Sequence, residues 1–138
     1  MADEPPRRLW LVFFGETKGS YWWTRLFKPG FRHVCAAAYY ADRRHWVYFD
    51  PTRPGISIRL FTDDEWSGPF STLLTSCKVV RFKGQYSRRS SPPSWFCVGA
   101  IKALLGIESR ALTPYQLYRD LLRQGGEEAS LCVEEASD

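Results

Sequence analysis

The stretch Phe31 to Pro51, FRHVCAAAYYADRRHWVYFDP, decides the fold. Phe31 to Tyr40 reads as a strand, its residues from Val34 on being β-branched, aromatic or small and apolar. Ala41 to Arg44 is polar and turn-like, and His45 to Asp50 (HWVYFD) returns with the same strand character. This reads as an antiparallel hairpin. A turn centred between Asp42 and Arg43 pairs residue i with residue 85 minus i. His33 then lies opposite Thr52. Asp50 is two residues from Thr52, so its side chain shares the face of His33 and sits diagonally from it.

Other strands flank the hairpin. Leu9 to Phe14 (LWLVFF) reads as a buried strand, and Gly15 to Gly30 as a long connection containing Tyr21, Trp22 and Trp23. Pro51 to Pro54 is expected to break the second hairpin strand. Gly55 to Phe61 (GISIRLF) alternates as a half-buried strand does, and Cys77 to Phe82 (CKVVRF) is a further strand candidate. Thr62 and Glu65 have capping-box spacing. Gly68 and Pro69 are expected to interrupt the helix that starts there, leaving one or two short pieces up to Ser76. Gly84 to Pro93 reads as a loop.

Helical spacing then takes over. Val98, Ile101, Leu104 and Leu105 form one apolar face, closed by Gly106. Thr113, Pro114 and Gln116 supply a cap, a first-turn proline and a reciprocal capping partner. Leu117, Tyr118, Leu121 and Leu122 make the apolar face of that helix. The class is α+β, a small, mostly antiparallel sheet with packed helices.

Composition bounds the rest. The 138 residues suit one domain that buries a core without disulfide or metal staples. No apolar run is long enough for a membrane span, and Leu9 to Phe14 is too short for the apolar core of a secretory signal. A cytoplasmic location is the expectation. The residues from Gly125 to Asp138 carry five acidic side chains and no Lys or Arg. The preceding 124 residues hold 19 basic and 10 acidic ones. We read 1–124 as a single α+β domain and 125–138 as an acidic, disordered tail. A basic body suits an anionic partner, whether a phosphate polymer, a cell-wall polymer or an acidic protein; it also simply keeps a protein soluble. The segments Arg43–Arg44, Arg81–Phe82–Lys83, Arg88–Arg89 and Trp22 to Lys28 mix basic and aromatic residues, as single-strand nucleic-acid binders do. No named nucleic-acid motif is present.

The cysteines Cys35, Cys77, Cys97 and Cys132 form no CxxC pair, and with only two histidines they do not suggest a zinc site. Neither a metal nor a cofactor is expected. Cys97 is the chemically informative one. It follows Ser94, a residue suited to cap a helix after Pro92–Pro93, and so falls in a first turn. There the helix dipole favours thiolate and backbone N–H groups are able to hold an oxyanion. A buried small hydrophobe at the start of a core helix is the plainer reading. His33 opens a strand just after Gly30, at the edge of the predicted sheet. That is a fitting place for a general base, or for a surface histidine. Asp50 either orients that imidazole or serves the Asp50–Pro51 turn. His45 is the alternative partner, but the hairpin register pairs it with Tyr40, far along the hairpin from His33.

A histidine opening a strand, a polar residue ending the next, and a later cysteine at a helix start resemble the papain-like hydrolase fold in its circularly permuted form. That group contains bacterial and phage cell-wall amidases or peptidases and acyltransferases related to lecithin–retinol acyltransferase, and a phage or prophage origin for this chain is the matching expectation. The hairpin precedes the helix segment SWFCVGAIKALLGI, and the TPYQLYRDLLR helix is similar to one that follows the cysteine helix in such proteins. The match spans about Phe31 to Arg123. The resemblance implies Cys97 as nucleophile, His33 as general base and acid, and Asp50 as the orienting residue. The substrate would be an amide or ester, with a cell-wall peptide or a protein as candidates. Gln85 is a candidate oxyanion donor. Neither the Asn-Cys pair of the lecithin–retinol group nor the Asp-Cys-Ser pattern of cell-wall peptidases is present, so substrate stays open. A non-catalytic phage binding or assembly protein on the same fold, and a basic nucleic-acid-binding module, are the alternatives.

Overall fold

The computed structural model describes residues 8–16, 25–52, 55–85 and 96–129. Six strands form one open antiparallel sheet: β1 (Arg8–Gly15), β2 (His33–Tyr40), β3 (His45–Thr52), β4 (Gly55–Thr62), β5 (Lys78–Gly84) and β6 (Glu127–Glu128), in the order β4-β3-β2-β1-β5-β6. Three helices accompany it: α1 (Asp63–Ser76), α2 (Phe96–Leu105) and α3 (Pro114–Arg123). The class is α+β, as expected.

Alternation divides the sheet into two apolar faces. Val12, Phe14, Val34, Ala36, Ala38, Val80 and Phe82 meet Val98, Ile101 and Leu105 of α2 and Leu117 and Leu121 of α3. Phe13, Cys35, Ala37, Phe61 and Val79 meet Trp66 of α1 on the other side. With helices on both faces, β1 is almost continuously buried from Trp10 to Phe14, which explains why WLVFF is apolar at successive rather than alternate positions; Leu9 before it is exposed.

Local chemistry sets the helix starts. Thr62 accepts from the Glu65 N–H, and Glu65 returns a bond to the Thr62 N–H. Thr113 and Gln116 repeat this reciprocal arrangement at α3, with Pro114 first in the helix. Gly84 fixes the far end of α2. A Cβ there would stand 2.7 Å from the Leu105 carbonyl oxygen, and the next residue, Gln85, donates its N–H to that same oxygen at 3.0 Å. Lys102 is wholly buried beside this end and donates to the Ser109 carbonyl at 3.0 Å, which ties down the segment before α3. Burial pushes its ammonium below the usual lysine range.

Three local expectations are corrected. Helix α1 runs unbroken through Pro69. The proline removes one backbone bond, but Trp66 stacks with Trp46 and Phe70 at ring separations of 5.3 and 5.7 Å, and this packing outweighs the loss. Strand β3 continues through Pro51, which pairs with Ile56 on β4. Its ladder with β2 stops at Phe49, so the missing N–H costs no bond on that side. The acidic end, read as a disordered tail from residue 125, begins as part of the sheet. Glu127 and Glu128 pair with Arg81 and Val80, and the Ala129 N–H donates to the Val79 carbonyl. Opposite charge holds it there, with Arg81–Glu127 at 2.6 Å and Lys78–Glu128 at 3.1 Å. Residues 130–138 lie outside the described part.

Trp66 is 2% exposed at the centre of the α1 interface. Trp66→Ala should lower unfolding stability by about 3–5 kcal/mol in urea titration. A loss below about 1 kcal/mol would mean that α1 docks without it.

Candidate functional site

The register of β2 against β3 creates the site. Ala36 pairs with Phe49, Ala37 with Tyr48 and Tyr40 with His45, so paired positions differ from the predicted rule by nothing. His33 and Asp50 come out as diagonal neighbours, and His33 Nε2 lies 2.6 Å from Asp50 Oδ1. The two side chains are 23% and 25% exposed, so the pair is largely withdrawn from water yet reachable. Strand β2 is interior to the sheet, flanked by β1 and β3. His33 therefore stands at a strand end, where the sequence reading put it, and not on a lateral edge.

Cys97 is the second residue of α2 and half-buried, and it lies near enough to His33 to act on the charge of that imidazole. Helix α2 packs on the face of Val34 and Ala36, whereas His33 and Cys35 alternate to the opposite face. The meeting occurs where the sheet ends: His33 is the first residue of β2, and its partner on β1, Gly15, is the last of that strand. Asp50 engages Nε2, which leaves Nδ1 as the ring nitrogen not used by the carboxylate. Ser94 and Trp95 lie outside the described residues, so the expected cap belongs to no described contact.

Electrostatics at His33 is a contest. Burial pushes the imidazole pKa down. The hydrogen bonds to Asp50 and Cys97, with the charges of both, more than offset this and raise it from 6.5 to about 9. The ring thus carries its proton at neutral pH. The other described thiols are different. Burial pushes Cys35 up, against the opposing effect of the Tyr48 hydroxyl, which donates to its sulfur at 3.2 Å; burial also pushes Cys77 up. Neither suits a nucleophile.

Cys35, Tyr48 and Gly15 were not singled out from sequence. The hairpin rule contained the first two: Cys35 is two residues from His33, and Tyr48 two from Asp50, so they form the next row on the same face. Gly15 had no local signal. A Cβ at that position would stand 2.8 Å from Cys77 Sγ, so the glycine admits the α1–β5 junction beside His33.

His45 is excluded as partner. Its Nδ1 donates to the Arg43 carbonyl inside the β2–β3 turn, opposite Tyr40. Gln85 is half-buried just after β5, and its backbone N–H is used in holding the end of α2. Several basic–aromatic segments are absorbed structurally. Arg81 is paired with Glu127, Phe27 is buried, and Lys28 Nζ lies 4.0 Å from the Tyr115 ring centroid. Arg43 and Arg44 remain exposed in their turn. Arg88, Arg89, Trp22 and Trp23 lie outside the described residues. Among the described residues no three His, Cys, Asp or Glu side chains are grouped to hold a metal ion, and no helix is long and apolar enough to cross a membrane.

Comparison with protein-family models, with curated proteins and with solved structures found no match.

The raised His33 pKa links the pair to stability. The folded value lies above the unfolded one, so the contribution is fully present below about pH 6.5 and is lost as pH rises through about 9. Wild type should therefore exceed Asp50→Asn in Tm most at pH 6, with the gap narrowing towards pH 10. A gap that is constant over this range would contradict the charge linkage.

Proposed function

We propose that the chain is a thiol-dependent hydrolase or acyl transferase with the permuted papain-like arrangement. The observation that carries this is the hydrogen-bonded pair His33–Asp50 at adjacent strand ends with Cys97, at a helix start, beside it. The element order, histidine strand, carboxylate strand, then cysteine helix, supports the same reading.

Each residue has a role set by its surroundings. The Cys97 sulfur is the nucleophile, and His33, which carries its proton at neutral pH, is the acid beside it. The thiolate attacks the carbonyl carbon of an amide or ester. The S–C bond forms as the carbonyl π pair moves to oxygen, where N–H groups of the first turn of α2 are placed to stabilise it. Collapse breaks the C–N or C–O bond, and His33 gives its proton to the leaving amine or alcohol. The now neutral imidazole takes a proton from water, or from an acceptor alcohol or amine, which attacks the acyl-enzyme. The departing thiolate restores the pair. Asp50 holds the ring on Nε2 throughout and stabilises its charged form.

At pH 7 iodoacetamide should label Cys97 before Cys35, Cys77 or Cys132, and His33→Ala should slow that labelling. Against a p-nitrophenyl ester, His33→Ala should lower turnover by about 10²–10⁴-fold, and Cys97→Ala should leave only the uncatalysed rate. Equal labelling of all four thiols, or turnover indifferent to both substitutions, would overturn the proposal.

A further inference from the structure

The two lateral edges of the sheet are built differently. One ends in β6, two residues long, with Glu127 and Glu128 tied to Arg81 and Lys78. A short, charged strand is how proteins protect an edge. The other ends in β4, eight residues long with no proline and no lysine, its one charge being Arg59. No other described strand pairs with the outer side of β4. On one face it presents Ile56, Ile58 and Leu60, which are 49%, 61% and 65% exposed. Ile58 lies opposite Phe49, which packs into the α2/α3 core, so the stripe continues that core outward beyond the cover of the helices.

We infer that β4 is a self-association edge, pairing antiparallel with β4 of a second copy about a two-fold axis through the sheet. Such an axis keeps both stripes on the same face of the extended sheet. The sequence of β4 selects one register. With Ile58 opposite the partner's Ile58, Ile56 meets the partner's Leu60, and Arg59 meets the partner's Ser57. Sliding by two residues one way sets Arg59 directly against the partner's Arg59, and like charges in direct opposition destabilise a pair. Sliding the other way leaves Leu60 without an apolar partner in β4. The arrangement closes on itself, because among the described strands β4 is the long edge strand and the guarded β6 edge offers no equivalent surface. The axis stands one strand away from Asp50, which pairs with Ser57, so the dimer borders the candidate site without occupying it.

Sedimentation velocity on the full chain over a concentration series should show a monomer–dimer equilibrium. Ile58→Lys should yield a monomer with an unchanged far-ultraviolet spectrum. A second readout does not depend on how that variant folds. Under mild oxidation Ile58→Cys should form a covalent dimer well above the wild-type background. Leu60→Cys alone should not, whereas a mixture of Ile56→Cys and Leu60→Cys chains should cross-link to each other. A wild-type chain that stays monomeric throughout the series, open-ended oligomers, or equal cross-linking by Leu60→Cys alone would each overturn the inference.

Discussion

Three side chains from two strands and a helix meet because β2 and β3 pair in a single register. A slip of one residue would turn Asp50 to the opposite face from His33. The register is held from both sides. Ala36 and Ala38 must face α2 and α3, while Cys35 and Ala37 must face α1. Burial of both sheet faces thus specifies the position of a pair that itself contributes little to the core. The small side chains of β2 belong to the same constraint, since alanines let helices approach closely from either side.

The local charge balance follows from that placement. At His33 the loss of water works against the charged ring, and only the two partners, Asp50 and Cys97, turn the balance the other way. At Cys35 and Cys77 burial prevails and keeps the thiols protonated. The same sheet end therefore contains sulfurs of contrasting surroundings within two rows. What separates Cys97 from them is its place at a helix start beside a cationic imidazole.

Much of this was legible in the chain because the signals were local. The hairpin needed only a turn position and a period of two, and both capping boxes were readable from residues three apart. Other features depend on contacts that no local pattern encodes. Pro69 reads as a helix breaker, and only the stack of Trp46, Trp66 and Phe70 shows why the helix persists. Glu127 and Glu128 read as solvated charge until Lys78 and Arg81 come alongside across a long sequence separation. Likewise, the pairing of His33 with Asp50 was derivable from the hairpin, whereas the arrival of Cys97 depends on how α2 crosses the sheet. That crossing is fixed by Gly84 and Leu105 at the opposite end of the helix.

The central claim is that His33 is held as a cation jointly by a carboxylate and a sulfur. It is tested most directly by following the ring nitrogens of His33 by nitrogen-15 NMR from pH 5 to pH 11, in wild type and in Cys97→Ala. The account predicts a wild-type midpoint at about 9 that falls when the sulfur is removed. A wild-type midpoint near 6.5, or one that is unmoved by loss of the thiol, would contradict it.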